Sequence, residues 1–280
     1  MARWATGREG ADPVTLRGSG LPPVTREELT RDLRALGLRP GDTVLVHSAM
    51  SRIGYVEGGA PAVVEAMLDG LGPGGTLAVP TFPFRGGMLA FVRSDPRFDV
   101  ATTPSLMGAI SEAARRHPAA IRSWEPTHPV AAIGHQARFL TEDHIHGEGA
   151  CDEHSPLYRL TLVGGYVLLL GVDFRNCTLL HAAEELARVP YIDFTTRYQL
   201  HGHAPEGNYT MRIYCHSPPL PANFPAIEPV LLERGLLRTG TVGVATARLA
   251  RADDVLRTAL ERLAADPFFL RRQQPKTPVE

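Results

Sequence analysis

Strand-length apolar runs alternate with helix-length amphipathic stretches along most of this chain, and that alternation restricts the fold more than any other feature. Residues 43–47, 76–80 and 166–172 are short and apolar on nearly every position, the pattern of strands buried on both faces. Residues 60–71, 105–116, 156–163 and 178–188 lie between or after them and carry apolar positions at helical spacing. The order predicts an α/β fold, a central mostly parallel sheet covered by helices on both faces. After Pro190 the texture changes: residues 192–200 and 209–216 read as paired strands around HGHAPEGN, whose Gly and Pro form turns, giving a β-rich C-terminal portion. A last amphipathic helix is expected over 252–265, with Val255, Leu256, Leu260 and Leu263 on one stripe.

Thr25-Arg-Glu-Glu fits a capping box, so the first helix opens there and carries Leu29, Leu33 and Leu36 until Gly37 and Pro40-Gly41 end it. Residues 1–24 and 273–280 lack periodicity and read as mobile tails, leaving one domain over 25–272 with no internal repeat or linker. The absence of an apolar run near ~20 residues argues against a membrane span, and the N-terminus has no apolar signal core. Three irregularly spaced cysteines (Cys151, Cys177, Cys215) do not make a disulfide scaffold, which fits a reducing, cytoplasmic location. A formal charge of −1 without a basic tract argues against a nucleic-acid partner.

The chemistry concentrates in TLLHAAEE, residues 178–185, directly after the strand-like YVLLLGV. On a helix His181 and Glu184 share a face at i, i+3, with Glu185 at i, i+4, so an imidazole base could be oriented by a carboxylate. An ordinary ion-paired helix histidine fits the same spacing. Four further segments stand upstream: VLVHSAMSRIGYVEGG (44–59), FDVATTPSLMGAISEAAR (98–115), EPTHPVAAIG (125–134) and HSPLYRLTLVGGYVLLLGV (154–172). Together with LLHAAEE, and in this order, they resemble the aminoglycoside 3-N-acetyltransferase family, antibiotic N-acetyltransferases that confer antibiotic resistance using acetyl-coenzyme A. The resemblance runs from about Thr25 to Leu186.

That resemblance implies a transferase with acetyl-coenzyme A as co-substrate, an aminoglycoside amine as acceptor, and His181 as general base; Glu184 is the candidate orienting partner from its i, i+3 spacing alone. It implies that the loop after the first strand holds the pantetheine and pyrophosphate, through His47, Ser48, Ser51, Gly54, Val56, Gly58 and Gly59. Glycines before a helix admit close backbone approach and leave N–H groups for phosphate, although a plain strand–helix connection has the same residues. Thr81 and Ser105 are placed near the acyl group, where hydroxyls can steady an oxyanion, while a Ser or Thr opening a helix over 105–116 is also an ordinary N-cap. Asp152, Glu185 and His128 are the candidate contacts to the amine.

In one place the chain departs from the family, in which an acidic residue of the C-terminal sheet pairs with the histidine matching His181. The corresponding stretch, MRIYCHSPP, has no carboxylate, so Glu184, Glu185 or a loop acid must substitute. Two other readings stay open: an acyltransferase for another amine in natural-product biosynthesis, and a zinc-dependent hydrolase using Cys177, His181, Cys215 and His216. The family needs no metal. The expected partner is a small-molecule amine, with the protein a monomer or a homodimer.

Overall fold

The computed structural model describes residues 22–272. The tail expectations therefore fall outside the described residues, except that Val24 is buried and bridged to Val56. Helix α1 (Arg26–Leu36) opens on the expected capping box, Thr25 Oγ1 accepting from the Glu28 N–H while the Glu28 carboxylate accepts from the Thr25 N–H. Gly37 ends it in the left-handed conformation.

The remaining elements are β1 (Thr43–Ser48), α2 (Met50–Ile53), α3 (Gly59–Leu71), β2 (Thr76–Pro80), α4 (Met88–Arg93), β3 (Arg97–Asp99) and α5 (Ala109–Arg115). They continue with β4 (Ile121–Arg122), β5 (Val130–Gly134), α6 (Ala137–Thr141), α7 (Pro156–Leu162), β6 (Tyr166–Leu170) and α8 (Leu179–Leu186). The C-terminal part holds β7 (Tyr198–Ala204), β8 (Gly207–Ile213), α9 (Ile227–Glu233), β9 (Leu237–Val242), β10 (Ala245–Arg251) and α10 (Ala252–Ala265). The main sheet has the order β4-β5-β2-β1-β6-β10-β9, and β3-β7-β8 form a smaller one. β2, β1 and β6 are parallel at the centre, and the outer strands run antiparallel to their neighbours.

Strand parity decides which helices meet which face. Val44 and Val46 point into a core with Leu29 and Leu33 of α1, Met67 and Leu71 of α3, and Ile110 of α5. Leu45 points the other way, into a core with Leu157 of α7, Leu179 and Leu180 of α8, and Val255 and Leu263 of α10. The sheet is thus covered on both faces as expected. The two central connections also diverge: the chain leaves β1 for α3 on one face and leaves β6 for α8 on the other. A crevice opens where strands so diverge at their C-terminal ends. Gly171 keeps that crevice narrow, because a Cβ there would stand 2.6 Å from the Arg52 Cβ in the loop after β1.

Two boundaries differ from the sequence expectation. The helix expected from Ser105 begins at Ala109, since the Ser105 N–H is held by the Glu112 carboxylate and Gly108, at φ 114°, breaks the helical path just before it. The strand expected from residue 192 begins at Tyr198, because Asp193 gathers the N–H groups and hydroxyls of Thr195 and Thr196 into a turn. HGHA belongs to β7, and the turn is Pro205-Glu206.

Candidate active site

His47 has the same parity as Leu45 and lies one residue before the end of β1 on the face that α8 covers, so the crevice brings it against the start of α8. Its Nε2 lies 3.4 Å from the Thr178 hydroxyl. Burial, with His181 nearby, pushes its pKa down to about 4, so His47 is neutral. His181 follows one helical turn after Thr178. Its Nδ1 lies 3.0 Å from Glu184 Oε2, the i, i+3 pair that the spacing predicts, and its side chain is 23% exposed while that of Glu184 is fully buried. Nδ1 donates in this pair, which leaves Nε2 with its lone pair free; no hydrogen bond from Nε2 to the described residues is present.

Glu184 is the hub of the site. Arg271 donates to both of its oxygens at 2.7 Å, His216 Nε2 reaches it at 2.9 Å, and the Tyr191 hydroxyl donates at 2.8 Å. Burial alone would push this carboxyl up, but the hydrogen bonds and charges of His181 and His216 hold it well below the usual carboxylate range. Burial likewise opposes charge on His216. There the hydrogen bonds of Glu184, and of Glu185 at 3.3 Å, win and raise the pKa to about 9. His181 moves the other way, lowered by its enclosure and by His216 against the pull of Glu184. At neutral pH the cluster therefore holds one charged histidine, His216, and one neutral one, His181.

Two cavities meet at His181. One, of about 190 Å³, lies over the strand ends and is lined by His47, Ser48, Met107, Ser111, Thr178 and Phe224. The other, of about 270 Å³, is lined by Phe84, Met88, His128, His216, Ser217 and Arg271. The rings of His216 and Phe224 flank the imidazole at 4.3 and 4.8 Å between centroids.

A family model described as aminoglycoside 3-N-acetyltransferase matches residues 45–264. The chain belongs to this family. Aminoglycoside N(3)-acetyltransferase VII of Streptomyces paromomycinus is 36% identical over 258 residues, 84% of this chain and 89% of its own length. Among solved structures, a variant of aminoglycoside acetyltransferase AAC(3)-IVa in complex with gentamicin superimposes with a TM-score of 0.79 at 30% identity, over 91% of this chain and 94% of that one. AAC-IIIb in a binary complex with CoASH gives a TM-score of 0.78 at 28% identity, over 91% of this chain and 100% of that one. The enzyme is thus aminoglycoside 3-N-acetyltransferase-like, with the α/β architecture of that family. No described helix is long and apolar enough to cross a membrane.

The structure separates the expected site residues of this acetyltransferase into three groups. His47, Ser48, His128 and His181 line the two cavities, with Glu184 directly behind. Ser51 is exposed, Gly54 packs against Val24 and Val244, Val56 is bridged to Val24, and Gly58 and Gly59 start α3 at positive φ, none of them lining either cavity. Thr81, Ser105, Asp152 and Glu185 are buried with their polar atoms engaged elsewhere. Thr81 donates to the Pro129 carbonyl and accepts from Arg122, and the Ser105 hydroxyl accepts from the Met107 N–H. Asp152 accepts from three backbone N–H groups, and Glu185 accepts from Tyr214 and the Cys151 N–H. Ser111 and Thr178 are the further hydroxyls at the first cavity.

The four-ligand zinc set is not assembled. Among the described residues the group close enough to share a cation is His181, Glu184 and His216, without Cys177 or Cys215. The guanidinium of Arg271 already covers both Glu184 oxygens, where it opposes a second cation. The stretch MRIYCHSPP supplies a histidine to the cluster in place of an acid. Arg271 and Tyr191 had no readable signal, since each reaches Glu184 only through the tertiary fold.

Proposed function

We propose that this protein transfers an acetyl group from acetyl-coenzyme A to the amino group of a small molecule, directly and within a ternary complex, with His181 as general base. The observation that carries this reading is the place of His181 between two cavities, one for each substrate. The cavity over the strand ends takes the acetyl thioester, consistent with a relative that binds CoASH. The cavity beside His128 and His216 takes the amine. An alkylamine with a pKa near ~10 is nucleophilic only after its ammonium form has lost one proton to solvent, and as the neutral nitrogen attacks the thioester carbonyl, neutral His181 Nε2 accepts the second N–H proton. Glu184 holds the Nδ1–H tautomer and steadies the imidazolium. Ser48, Ser111 and Thr178 supply hydroxyls near the developing oxyanion. The C–S bond then breaks, and the imidazolium returns its proton to the departing thiolate.

An acyl-cysteine route fits poorly, since burial pushes the Cys177 thiol up to about 12 and leaves no thiolate at neutral pH. Relatives bind aminoglycosides, so an aminoglycoside amine is the first acceptor to assay; the second reading, another amine, is favoured by a cavity without carboxylates. The test is release of free thiol from acetyl-coenzyme A across aminoglycosides and simpler amines. His181→Ala should lower kcat by at least ~100-fold with coenzyme A binding retained. A folded variant with near-normal turnover would remove His181 from the mechanism.

A further inference from the structure

We propose that Glu125, Thr127 and His128 form a proton relay that takes the first proton from the acceptor's ammonium, giving this active site a separate outlet for each of the two protons the amine must lose. This rests on the acyl-transfer reading and concerns the cavity that His128 and His181 line together. An ammonium becomes an amide only by losing two protons, and one imidazole base holds one. His181 takes the proton released as nitrogen attacks, so the earlier one needs another route to solvent. The loop between β4 and β5 contains one. Pro126 and Pro129 fix φ within it, and it is clamped by the Val130 N–H on the Ser123 hydroxyl and by the Thr81 hydroxyl on the Pro129 carbonyl. Glu125 and Thr127 are fully buried, and His128 nearly so. His128 Nδ1 lies 2.9 Å from Thr127 Oγ1, which donates at 2.7 Å to Glu125 Oε1. With the hydroxyl hydrogen spent on the carboxylate, the oxygen accepts from Nδ1–H, and Nε2 keeps its lone pair. No hydrogen bond from His128 Nε2 to the described residues is present, and the His128 and His181 rings stand 6.3 Å apart between centroids.

The donors to Glu125 are the N–H groups of Thr127 and His128 and the Thr127 hydroxyl, none of them charged. An amide would accept from the same groups without a charge to desolvate; what a carboxylate adds is a place for a proton. Burial pushes Glu125 up to about 7 and holds His128 well below its ordinary value, so His128 stays neutral. A neutral imidazole still passes a proton by taking one at Nε2 while releasing one at Nδ1. The ammonium N–H bond breaks with its electron pair left on nitrogen. Its proton goes to His128 Nε2, the Nδ1 proton to Thr127 Oγ1, and the Thr127 hydroxyl proton to Glu125 Oε1. Ammonium and carboxylate become amine and carboxylic acid without net change of charge, and His128 is left as its other tautomer. After the product leaves, Glu125 returns the proton along the same path to water. The titratable groups facing this loop are His181 and Glu185 of α8, His216 and His144, with Arg271 on the cavity wall. Burial keeps Tyr209, Cys151 and Cys215 neutral beside it. The cations His216 and Arg271 favour the step, since they lower the ammonium's pKa of ~10 toward that of Glu125.

The experiment uses the full chain and follows kcat/KM for thiol release from acetyl-coenzyme A against pH, with gentamicin, apramycin and simpler amines as acceptors. Thr127→Val keeps the shape of the side chain and removes the hydroxyl that joins His128 to Glu125. The parent-to-variant ratio should be at least ~10 at about pH 6.5, where the acceptor arrives as ammonium, and shrink to ~2 at about pH 9, where more of it arrives neutral. Thr127→Ser, which restores the hydroxyl, should recover most of the loss. Glu125→Gln keeps an acceptor for the N–H groups and should show the same pH dependence, so it reads the relay even where Thr127→Val does not fold. A ratio that stays constant with pH, or a Thr127→Ser protein no better than Thr127→Val, overturns the relay and leaves the loop a purely structural one. No thiol release by the parent with any of these amines, despite coenzyme A binding, overturns acyl transfer itself, and so separates the two failures.

Discussion

Glu184→Gln tests the centre of the site, because it keeps the shape of the side chain and removes its charge. Five donor atoms converge on the carboxylate: two from Arg271, one each from His181 and His216, and the Tyr191 hydroxyl. An amide presents one acceptor oxygen, so whichever way it turns, its NH2 faces at least two of these donors. Arg271 and His216, 6% and 7% exposed, lose the counter-charge they share. Breaking one partner out of a buried ion pair costs ~3–5 kcal/mol. Glu185 still contacts His216, and His216 can shed its proton, so the low end, ~3 kcal/mol, is expected. Against a total stability of ~5–15 kcal/mol, that loss is readily visible as a lower urea midpoint at unchanged slope. In the assay, kcat should fall ~10–100-fold. The acidic limb of the pH–rate profile should move to lower pH, since His181 loses the negative neighbour that favours its charged form. A variant within ~1 kcal/mol of the parent, or an unmoved acidic limb, would refute the role assigned to Glu184.

Stability of the parent should peak near pH 6.5–7. The raised pKa of His216 contributes stability that is complete below its unfolded value of about 6.5 and is lost as pH rises through about 9, a change of ~3 kcal/mol. His47 and His144, held neutral with pKa values of about 4, act oppositely: below pH 6.5 the unfolded chain takes up protons that the folded one refuses, and stability falls. Glu125, raised to about 7 by burial, offsets part of that fall between pH 4.5 and 7. A urea titration series showing stability still climbing from pH 7 to 9 would contradict the assignment of a charged His216. Gly59→Val, at φ 64° in the loop that the family resemblance assigns to the coenzyme, should weaken coenzyme A binding more than amine binding in calorimetry; equal loss of both would count against a phosphate role for this turn. Cys177→Ser should leave a metal-free, active enzyme, and a stoichiometric zinc content that vanishes in this variant would revive the metal reading.

What was legible in the sequence is what short range decides. The capping box at Thr25, the αL stop at Gly37 and the full extent of α10 over Ala252–Ala265 follow from local hydrogen bonding and helical periodicity. So does the His181–Glu184 pair, because i, i+3 residues on a helix meet whatever surrounds them. Two-residue periodicity also fixed that His47 and Leu45 share a face of β1, though not what covers it. The rest belongs to the tertiary structure. Arg271, which lies 87 positions from Glu184, arrives because the end of the chain is bridged at residue 271 to Ala222, and His216 arrives from the end of the smaller sheet. Glu184 and Glu185 are adjacent and chemically alike, yet one stands behind His181 and the other is taken up by Tyr214, the Cys151 N–H and the far nitrogen of His216. Helical rotation separates their directions; only packing from distant segments determines which direction faces chemistry. Sequence therefore specified His181 and its nearest carboxylate, whereas the charge balance around them, and with it the protonation state and the character of the adjoining cavities, depended on side chains that nothing but the fold brings together.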